Sequence, residues 1–214
     1  MAVAAKICGL KTPETVLAAV EGGAAMLGFV FYPPSPRAIL PADLAALAPL
    51  VPAGIVRVAL VVDCDDDLLD AVVAAGADMI QAHGKESPER VAAIAARTGR
   101  PVMKAVGIAG PEDVDRARQF EGVADLLLLD AKPPKNRAGT LPGGNGLAFD
   151  WGLVRGLSLS RPWLLAGGLD AGNLALAVAT SGARMVDVSS GVEERPGVKS
   201  PGLIRAFLDE ARRL

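Results

Sequence analysis

Two side chains that can exchange protons stand at the ends of strand-like apolar segments. Cys8 lies between Ile7 and Gly9, and Asp130 follows four consecutive leucines. A thiolate can accept a proton and a partly buried carboxyl group can donate one, so this pair could carry out general acid–base catalysis. The structural alternatives are a small buried hydrophobic residue for Cys8 and a turn-capping carboxylate for Asp130.

Arg37 and three groups of small residues could bind a negatively charged substrate. Arg37 ends the restricted segment Tyr32-Pro33-Pro34-Ser35-Pro36, and a guanidinium group can hold a carboxylate with two parallel hydrogen bonds, although most loop arginines are solvated. Small residues leave backbone N–H groups open to a phosphate, although they are also common in turns. The candidate phosphate-binding residues are Gly143, Gly144, Gly167, Gly168, Ser189, Ser190 and Gly191. Together they predict a phosphorylated substrate.

Four further residues have both a functional and a structural interpretation. His83 is the only histidine and ends an apolar segment, which suits an acid, a base or a packed supporting role. Asp187 lies inside the last apolar segment; it is a candidate for substrate binding if it points into a pocket, but we favour a structural pairing. Lys104 lies inside the fifth segment. Cys64 precedes three acidic residues that begin a helix, and we interpret it as structural.

The elements that position these residues alternate along the chain. The sequence predicts eight buried strands, because most of the apolar segments are continuous, as expected for a parallel sheet covered on both faces. These strands are Ala2–Cys8, Met26–Phe31, Ile55–Val62, Met79–His83, Val102–Gly107, Asp125–Asp130, Trp163–Ala166 and Met185–Ser189. The segments between them have helical periodicity, and several begin with proline in the first turn. They include Pro13–Val20, Asp65–Ala75, Pro88–Ala96, Pro111–Phe120, a short helix at Trp151–Leu157, Asn173–Ser181 and Pro201–Leu214.

Eight βα units indicate an α/β fold of the closed (β/α)₈ TIM-barrel type, in one domain over residues 1–214. A doubly wound sheet is disfavoured because no Gly-x-Gly-x-x-Gly follows the first strand and no phosphate-binding P-loop motif occurs. In barrel enzymes the active site lies at the carboxyl ends of the strands, where the residues above collect. The longest irregular segment, residues 131–148, has the length of a functional loop.

Composition and charge exclude several functions. The net charge of −2 and the 4% aromatic content argue against a nucleic-acid partner. No apolar run approaches the roughly 20 residues of a membrane span. The first residues lack the pattern of a secretory signal, so we expect a cytoplasmic protein. The two cysteines are far apart and predict free thiols, with no metal site.

Seven sequence blocks resemble the phosphoribosylanthranilate isomerase family over nearly the whole chain and in the usual order. They are Lys6-Ile7-Cys8-Gly9, Gly28–Phe31 followed by Ser35-Pro36-Arg37, Ile80–Gly84, Leu128-Leu129-Asp130, Gly143–Gly146 with Phe149-Asp150-Trp151, Leu165–Leu169 and Val186–Glu193. The resemblance implies a small (β/α)₈ barrel that converts N-(5′-phosphoribosyl)anthranilate to the 1-deoxyribulose 5-phosphate in tryptophan biosynthesis, by an Amadori rearrangement. It implies no cofactor and no metal.

The resemblance also implies roles for individual residues. Asp130 would be the general acid, Cys8 the general base, and Arg37 would hold the anthranilate carboxylate. A nearby positive charge, from Lys6 or from a bound iminium, would favour the thiolate. The phosphate would rest on Gly167-Gly168 and Ser189–Gly191.

The sequence departs from the family pattern at three positions, none of which is an inferred catalytic group. Asn145 stands where Thr is usual, Ala82 where Leu is usual, and Ser200 where an acidic residue often follows Lys199. Of the three, the change at Asn145 bears on contacts with the phosphate or the ribose.

Two alternatives remain open from the sequence, and a third is disfavoured. Lys104 is compatible with an enzyme like indole-glycerol-phosphate synthase, which uses a catalytic lysine and glutamate. A pentose-phosphate epimerase would need a histidine-rich metal site, which one histidine cannot supply. A barrel that binds a phosphorylated metabolite without catalysis is the non-enzymatic alternative. No decisive apolar stripe marks a dimer interface, so we expect a monomer.

Overall fold

The computed structural model of the chain describes residues 2–132, 143–144 and 146–214. Asn145 and residues 133–142 of the predicted loop lie outside these ranges, so the expectations placed on them stay predictions.

The described residues confirm the predicted barrel. Its eight parallel strands close on themselves in sequence order, with the last strand beside the first. The strands are β1 (Ala4–Cys8), β2 (Met26–Val30), β3 (Val56–Val61), β4 (Met79–Ala82), β5 (Val102–Ile108), β6 (Leu126–Ala131), β7 (Trp163–Leu165) and β8 (Met185–Val188). Closure pairs Ala4 of β1 with Met185 of β8, and Lys6 with Asp187. Each strand is buried over most of its length, as its apolar continuity predicts.

Helices surround the barrel, and short polar side chains begin several of them. They are α1 (Pro13–Glu21), α2 (Pro41–Leu47), α3 (Asp66–Ala74), α4 (Pro88–Thr98), α5 (Pro111–Arg118), α6 (Leu174–Ser181) and α7 (Pro201–Arg213). Thr12, Asp65 and Ser87 accept hydrogen bonds from backbone N–H groups of the first turns of α1, α3 and α4. None of the helices among the described residues has both the length and the apolar character that crossing a membrane requires.

The connection between β6 and β7 differs from the prediction of a helix over Trp151–Leu157. Its described part contains only a 3₁₀ helix, Trp151–Val154, whose first turn is capped by Asp150. Gly152 lies within this turn and Gly156 follows it, and Gly156 has a φ of 68°, which an α-helix does not allow. Two glycines in six residues are therefore enough to stop the helix.

A two-stranded hairpin after β8 is an addition that the sequence analysis did not predict. Strands β9 (Glu193–Arg195) and β10 (Val198–Lys199) pair in antiparallel fashion around Pro196-Gly197. Gly197 has a φ of 78°, and a Cβ atom there would lie 2.5 Å from the Pro36 carbonyl oxygen. The hairpin therefore packs directly on the loop that carries Arg37. The Pro-Gly pair is a turn signal that could have revealed it.

The core has two layers. A large cluster fills the space between strands and helices, and a smaller one fills the barrel interior. The interior cluster includes Met26, Val56 and Met185, which lie at the amino ends of their strands. The closed end of the barrel is thus the amino-terminal end, and a site can open only at the carboxyl ends.

Candidate active site

A cavity opens at the carboxyl ends of the strands. With the exception of Gly191, every residue that the sequence analysis placed in the site lines this cavity. These residues are Cys8, Arg37, Asp130, Gly143, Gly144, Gly167, Gly168, Asp187, Ser189 and Ser190. The fold therefore brings together side chains that lie up to about 180 positions apart in the chain, since Cys8 and Ser189 are 181 residues apart.

Cys8 ends β1 with its thiol buried against β2. A Cβ atom at position 28 would lie 2.9 Å from Cys8 Sγ and 3.0 Å from Lys6 Nζ, so Gly28 leaves the space that both groups occupy. Burial raises the pKa of the Cys8 thiol above its ordinary value, while the positive charges of Lys6 and Lys199 act in the opposite direction and Asp187 adds to the increase. The thiol is therefore protonated in the unliganded protein near neutral pH.

Lys6 and Asp187 form a buried ion pair beneath the thiol. Lys6 Nζ donates to Asp187 Oδ1 at 2.8 Å, and the lysine is completely buried. Burial alone would lower the pKa of Lys6, but the charges of Asp187 and Cys8 raise it overall. Asp187 thus has the structural pairing that the sequence favoured, and its carboxylate also forms part of the cavity wall.

Asp130, the last residue but one of β6, lies between a backbone amide and His83. Its Oδ1 atom accepts a hydrogen bond from the Ala131 N–H at 2.8 Å, and its Oδ2 atom lies 3.4 Å from His83 Nε2. Gln81 supports the histidine from behind, with its Nε2 atom 2.8 Å from His83 Nδ1. His83 therefore contacts the candidate acid directly, and Gln81 is a participant that the sequence analysis missed.

Two glycines leave the space that the Asp130 carboxyl group occupies. A Cβ atom at position 143 would lie 2.6 Å from His83 Nε2 and 2.9 Å from Asp130 Oδ2. At position 167 it would lie 2.7 Å from the Ala131 nitrogen and 3.1 Å from Asp130 Oδ1. Gly143 and Gly167, which the sequence suggested for phosphate binding, therefore also make space for the carboxyl group.

Arg37 reaches the cavity from the loop after β2, but one edge of its guanidinium group is occupied. Its Nε and Nη2 atoms donate to the two carboxylate oxygens of Glu193 at 2.7 and 2.9 Å, and Nη2 also donates to the Gly144 carbonyl at 3.1 Å. The two parallel hydrogen bonds that we expected Arg37 to form with a substrate carboxylate are thus formed with Glu193. Nη1 has no acceptor among the residues that the structure describes, and a side chain at Gly144 would cover it.

Glu193 and Lys199, the ends of the hairpin, are buried polar residues that the sequence analysis did not assign to the site. Lys199 Nζ donates to Glu193 Oε1 at 2.8 Å and to the Ser189 carbonyl at 2.8 Å. Although burial alone would raise the pKa of Glu193, the hydrogen bonds and charges of Arg37 and Lys199 lower it. Glu193 is therefore ionised at neutral pH.

The loops after β7 and β8 present backbone donors to the cavity rim. The amides of Gly168, Ser190 and Gly191 have no acceptor within the described ranges. Gly191 itself is not part of the cavity wall, because it packs so closely on the Leu169 carbonyl that a Cβ atom would collide with it. Such oriented N–H groups favour an anion.

Two candidates are accounted for by structural contacts. Lys104 Nζ donates to the carbonyl oxygens of Ala82 and Gly84 and to Glu86 Oε2 at 2.7 Å, which uses its three donors. Cys64 lies outside the cavity, and burial raises the pKa of its thiol to about 11. Across residues 2–132, 143–144 and 146–214, no three His, Cys, Asp or Glu side chains group as metal ligands would.

Comparison with known proteins gives consistent results. The sequence profile of the family described as N-(5′-phosphoribosyl)anthranilate (PRA) isomerase matches residues 5–210. The chain is 54% identical to the N-(5′-phosphoribosyl)anthranilate isomerase of Parvibaculum lavamentivorans over 214 residues, which is 100% of both chains. It is also 54% identical to that of Paracoccus denitrificans, covering 99% of this chain and 98% of the other.

Solved structures agree. The phosphoribosyl anthranilate isomerase of Thermotoga maritima has a TM-score of 0.88 and 36% identity, covering 99% of this chain and all of the other. A phosphoribosyl anthranilate isomerase in complex with reduced 1-(o-carboxyphenylamino)-1-deoxyribulose 5-phosphate has a TM-score of 0.84 and 34% identity, with 99% and 100% coverage.

Proposed function

The chain belongs to the N-(5′-phosphoribosyl)anthranilate isomerase family, and we propose that Cys8 and Asp130 carry out the reaction at its barrel mouth as general base and general acid. The protein is an isomerase of tryptophan biosynthesis, interconverting an aldose and a ketose. The observation that carries the assignment of roles is that the thiol and the carboxyl group line one cavity, each with the close neighbours described above.

The proposed first step is proton delivery by Asp130. The proton goes to the furanose ring oxygen as the bond from that oxygen to C1 breaks, which leaves an iminium between C1 and the anthranilate nitrogen. A carboxyl group must be protonated to act in this way, and the nearest polar side-chain atom described above is His83 Nε2, 3.4 Å from Asp130 Oδ2.

The proposed second step is proton removal by Cys8. Cys8 first loses its own proton to solvent. The thiolate then takes the proton from C2, and the electron pair of that C–H bond neutralises the iminium to give an enol-amine, which tautomerises to the ketone. The positive iminium acidifies C2 and lowers the cost of the nearby thiolate. The raised pKa of the free thiol is therefore compatible with a base that forms only when substrate is bound.

Substrate binding is proposed to use both sides of the cavity. Arg37 would bind the anthranilate carboxylate through Nη1, while Gly168, Ser190 and Gly191 offer amides to the phosphate. The remaining glycines, Gly143, Gly144 and Gly167, keep the reacting groups accessible.

The contacts of Lys104 speak against an activity like that of indole-glycerol-phosphate synthase. Its three donors bind backbone and Glu86, which leaves none for a substrate. A non-catalytic binding barrel would have no need for a buried thiol and an acid facing one cavity. The isomerase is thus the function that the site supports best.

The test is turnover of phosphoribosylanthranilate, generated in situ, by the wild type and by Cys8→Ser and Asp130→Asn. We expect each variant to lose about 10²-fold or more in kcat, the scale of a missing general acid or base. Cys64→Ser is the matched control, since it removes a thiol outside the cavity, and it should retain wild-type turnover. Retention of near wild-type kcat by either catalytic variant would refute its assigned role.

We further propose that residues 1–214 form a single domain that works as a monomer in the cytoplasm. Five large hydrophobic residues are exposed among the residues that the structure describes, a small number that supports a monomer: Leu17 on α1, Leu40 before α2, Leu176 on α6, Leu203 on α7, and Leu214. The phosphoribosylanthranilate isomerase of Thermotoga maritima is described as dimeric, and a dimer is therefore the alternative that the proposal has to exclude.

A further inference from the structure

The hairpin β9–β10 supplies two buried charges to the site without facing the reacting carbons. Glu193 and Lys199 are cross-strand partners at its base, with side chains only 4% and 2% exposed. Buried charges are retained only where they are paired, and both are paired here, with Arg37 and with each other. Glu193 and Lys199 therefore act through the groups to which they are hydrogen-bonded.

Glu193 fixes which part of Arg37 faces the substrate. A guanidinium group has five N–H donors in one plane. Glu193 binds one on Nε and one on Nη2, and the Gly144 carbonyl binds the other on Nη2. Only the two on Nη1 are left without an acceptor among the described residues, so the group cannot rotate without losing three hydrogen bonds.

Lys199 connects the Arg37–Glu193 pair to the loop after β8. Its ammonium group has three donors, and these reach Glu193 Oε1, the Ser189 carbonyl and, at 3.2 Å, Ser189 Oγ. No donor remains for a phosphate, so Lys199 is not itself a phosphate ligand in this arrangement. Ser189 Oγ in turn donates to the Cys8 carbonyl at 3.2 Å.

The hairpin is also held against the Arg37 loop through the backbone. Gly197 at its turn packs against the Pro36 carbonyl. Lys11 Nζ also donates a hydrogen bond to this carbonyl oxygen, at 2.9 Å. The Arg37 loop is thus fixed from both sides, by the hairpin and by Lys11.

We propose that Glu193 and Lys199 are positioning residues for the substrate. Glu193 holds Arg37 so that Nη1 alone receives the carboxylate, and Lys199 links the Arg37–Glu193 pair to the loop after β8 that is proposed to bind the phosphate. The proposal rests on the function proposed above. It places substrate recognition in a hairpin that does not belong to the eight βα units.

The test compares Glu193→Gln, Lys199→Met and Glu194→Gln by steady-state kinetics and by inhibition with inorganic phosphate. Glu194 is the matched control, because it is the exposed neighbour of Glu193 on the same strand. Glu193→Gln should raise KM about tenfold or more, the scale of one charge-assisted hydrogen bond. Its kcat should stay within about threefold of the wild type, as for a group that binds ground state and transition state alike.

Inhibition by phosphate separates positioning from general damage. Glu193→Gln should leave the Ki of phosphate unchanged or lower it, because the site gains one unit of positive charge. Lys199→Met should raise both KM and this Ki, because it removes the hydrogen bonds that hold Glu193 and the Ser189 carbonyl. If Glu193→Gln raises KM and Ki together while kcat collapses, or behaves like Glu194→Gln, the proposal is wrong. An inactive wild type would instead refute the proposed function.

Discussion

The thiol of Cys8 has a raised pKa even though two lysines face it, because burial outweighs their charges. At the residue scale this predicts a thiol that reacts slowly with alkylating reagents. In a Cys64→Ser background, alkylation of Cys8 by iodoacetamide should be slow at pH 7 and accelerate through a midpoint above the ordinary value of 9.0. The measurement is the pH dependence of the alkylation rate. A midpoint below that value would show that the free protein already stabilises the thiolate, against the substrate-assisted base proposed above.

Residue identity at strand ends was enough to predict part of the site. Cys8, Asp130 and Arg37 are unusual residue types in apolar or restricted segments, so the sequence could single them out. Glu193 could not be predicted as the partner of Arg37, because the two are 156 residues apart and meet only through the hairpin. Gln81 could not be predicted for a different reason. It is a polar residue inside an apolar strand, and its role becomes clear only once its contact with His83 is known.

At the scale of elements, the ion pair between Glu86 and Lys104 joins the loop after β4 to β5. Glu86 also accepts hydrogen bonds from the N–H groups of Asp63 and Gly84. Glu86→Gln should therefore cost about 3–5 kcal/mol of the free energy of unfolding, measured by urea denaturation, because it leaves Lys104 charged and unpaired. Adding Lys104→Met should recover part of that loss. A loss under about 1 kcal/mol would mean that water reaches the lysine.

The same pair gives a pH dependence with a definite sign. Although burial alone would raise it, the pKa of Glu86 is lowered by Lys104 and by backbone N–H groups. The native state therefore binds the proton less tightly than the unfolded state does. This stabilisation is complete above the ordinary value of 4.5 and disappears as the pH falls through the lowered pKa. The acid-dependent loss of stability should be smaller in Glu86→Gln than in the wild type.

Element types were predictable where local pattern decides them. Continuous apolar segments identified all eight strands, because burial on both faces leaves no alternation. The turn at Trp151–Val154 and the hairpin were not predicted, since both depend on a few glycines that end or reverse the chain and not on periodicity.

At the scale of the whole molecule, the exposed leucines predict no extended interface. Sedimentation velocity should give one species with the mass of a single chain, 21.9 kDa, at micromolar concentration. Scattered single apolar residues are ordinary on monomer surfaces, whereas a stable dimer needs a contiguous patch. A concentration-independent species of twice this mass would overturn the monomer assignment.

Barrel closure also sets the order in which the site is completed during synthesis. Lys6 and Cys8 leave the ribosome before Asp187 and Ser189, which neighbour them across the β1–β8 seam and are each 181 residues further along. At bacterial and eukaryotic rates of translation that interval is roughly 10–40 s. Through that interval Lys6 has no counter-ion and β1 lacks one of its two neighbouring strands, although Cys8 and Asp130 have both been made. The chemistry begins when β8 closes on β1, so a product that is truncated before β8 would be catalytically silent.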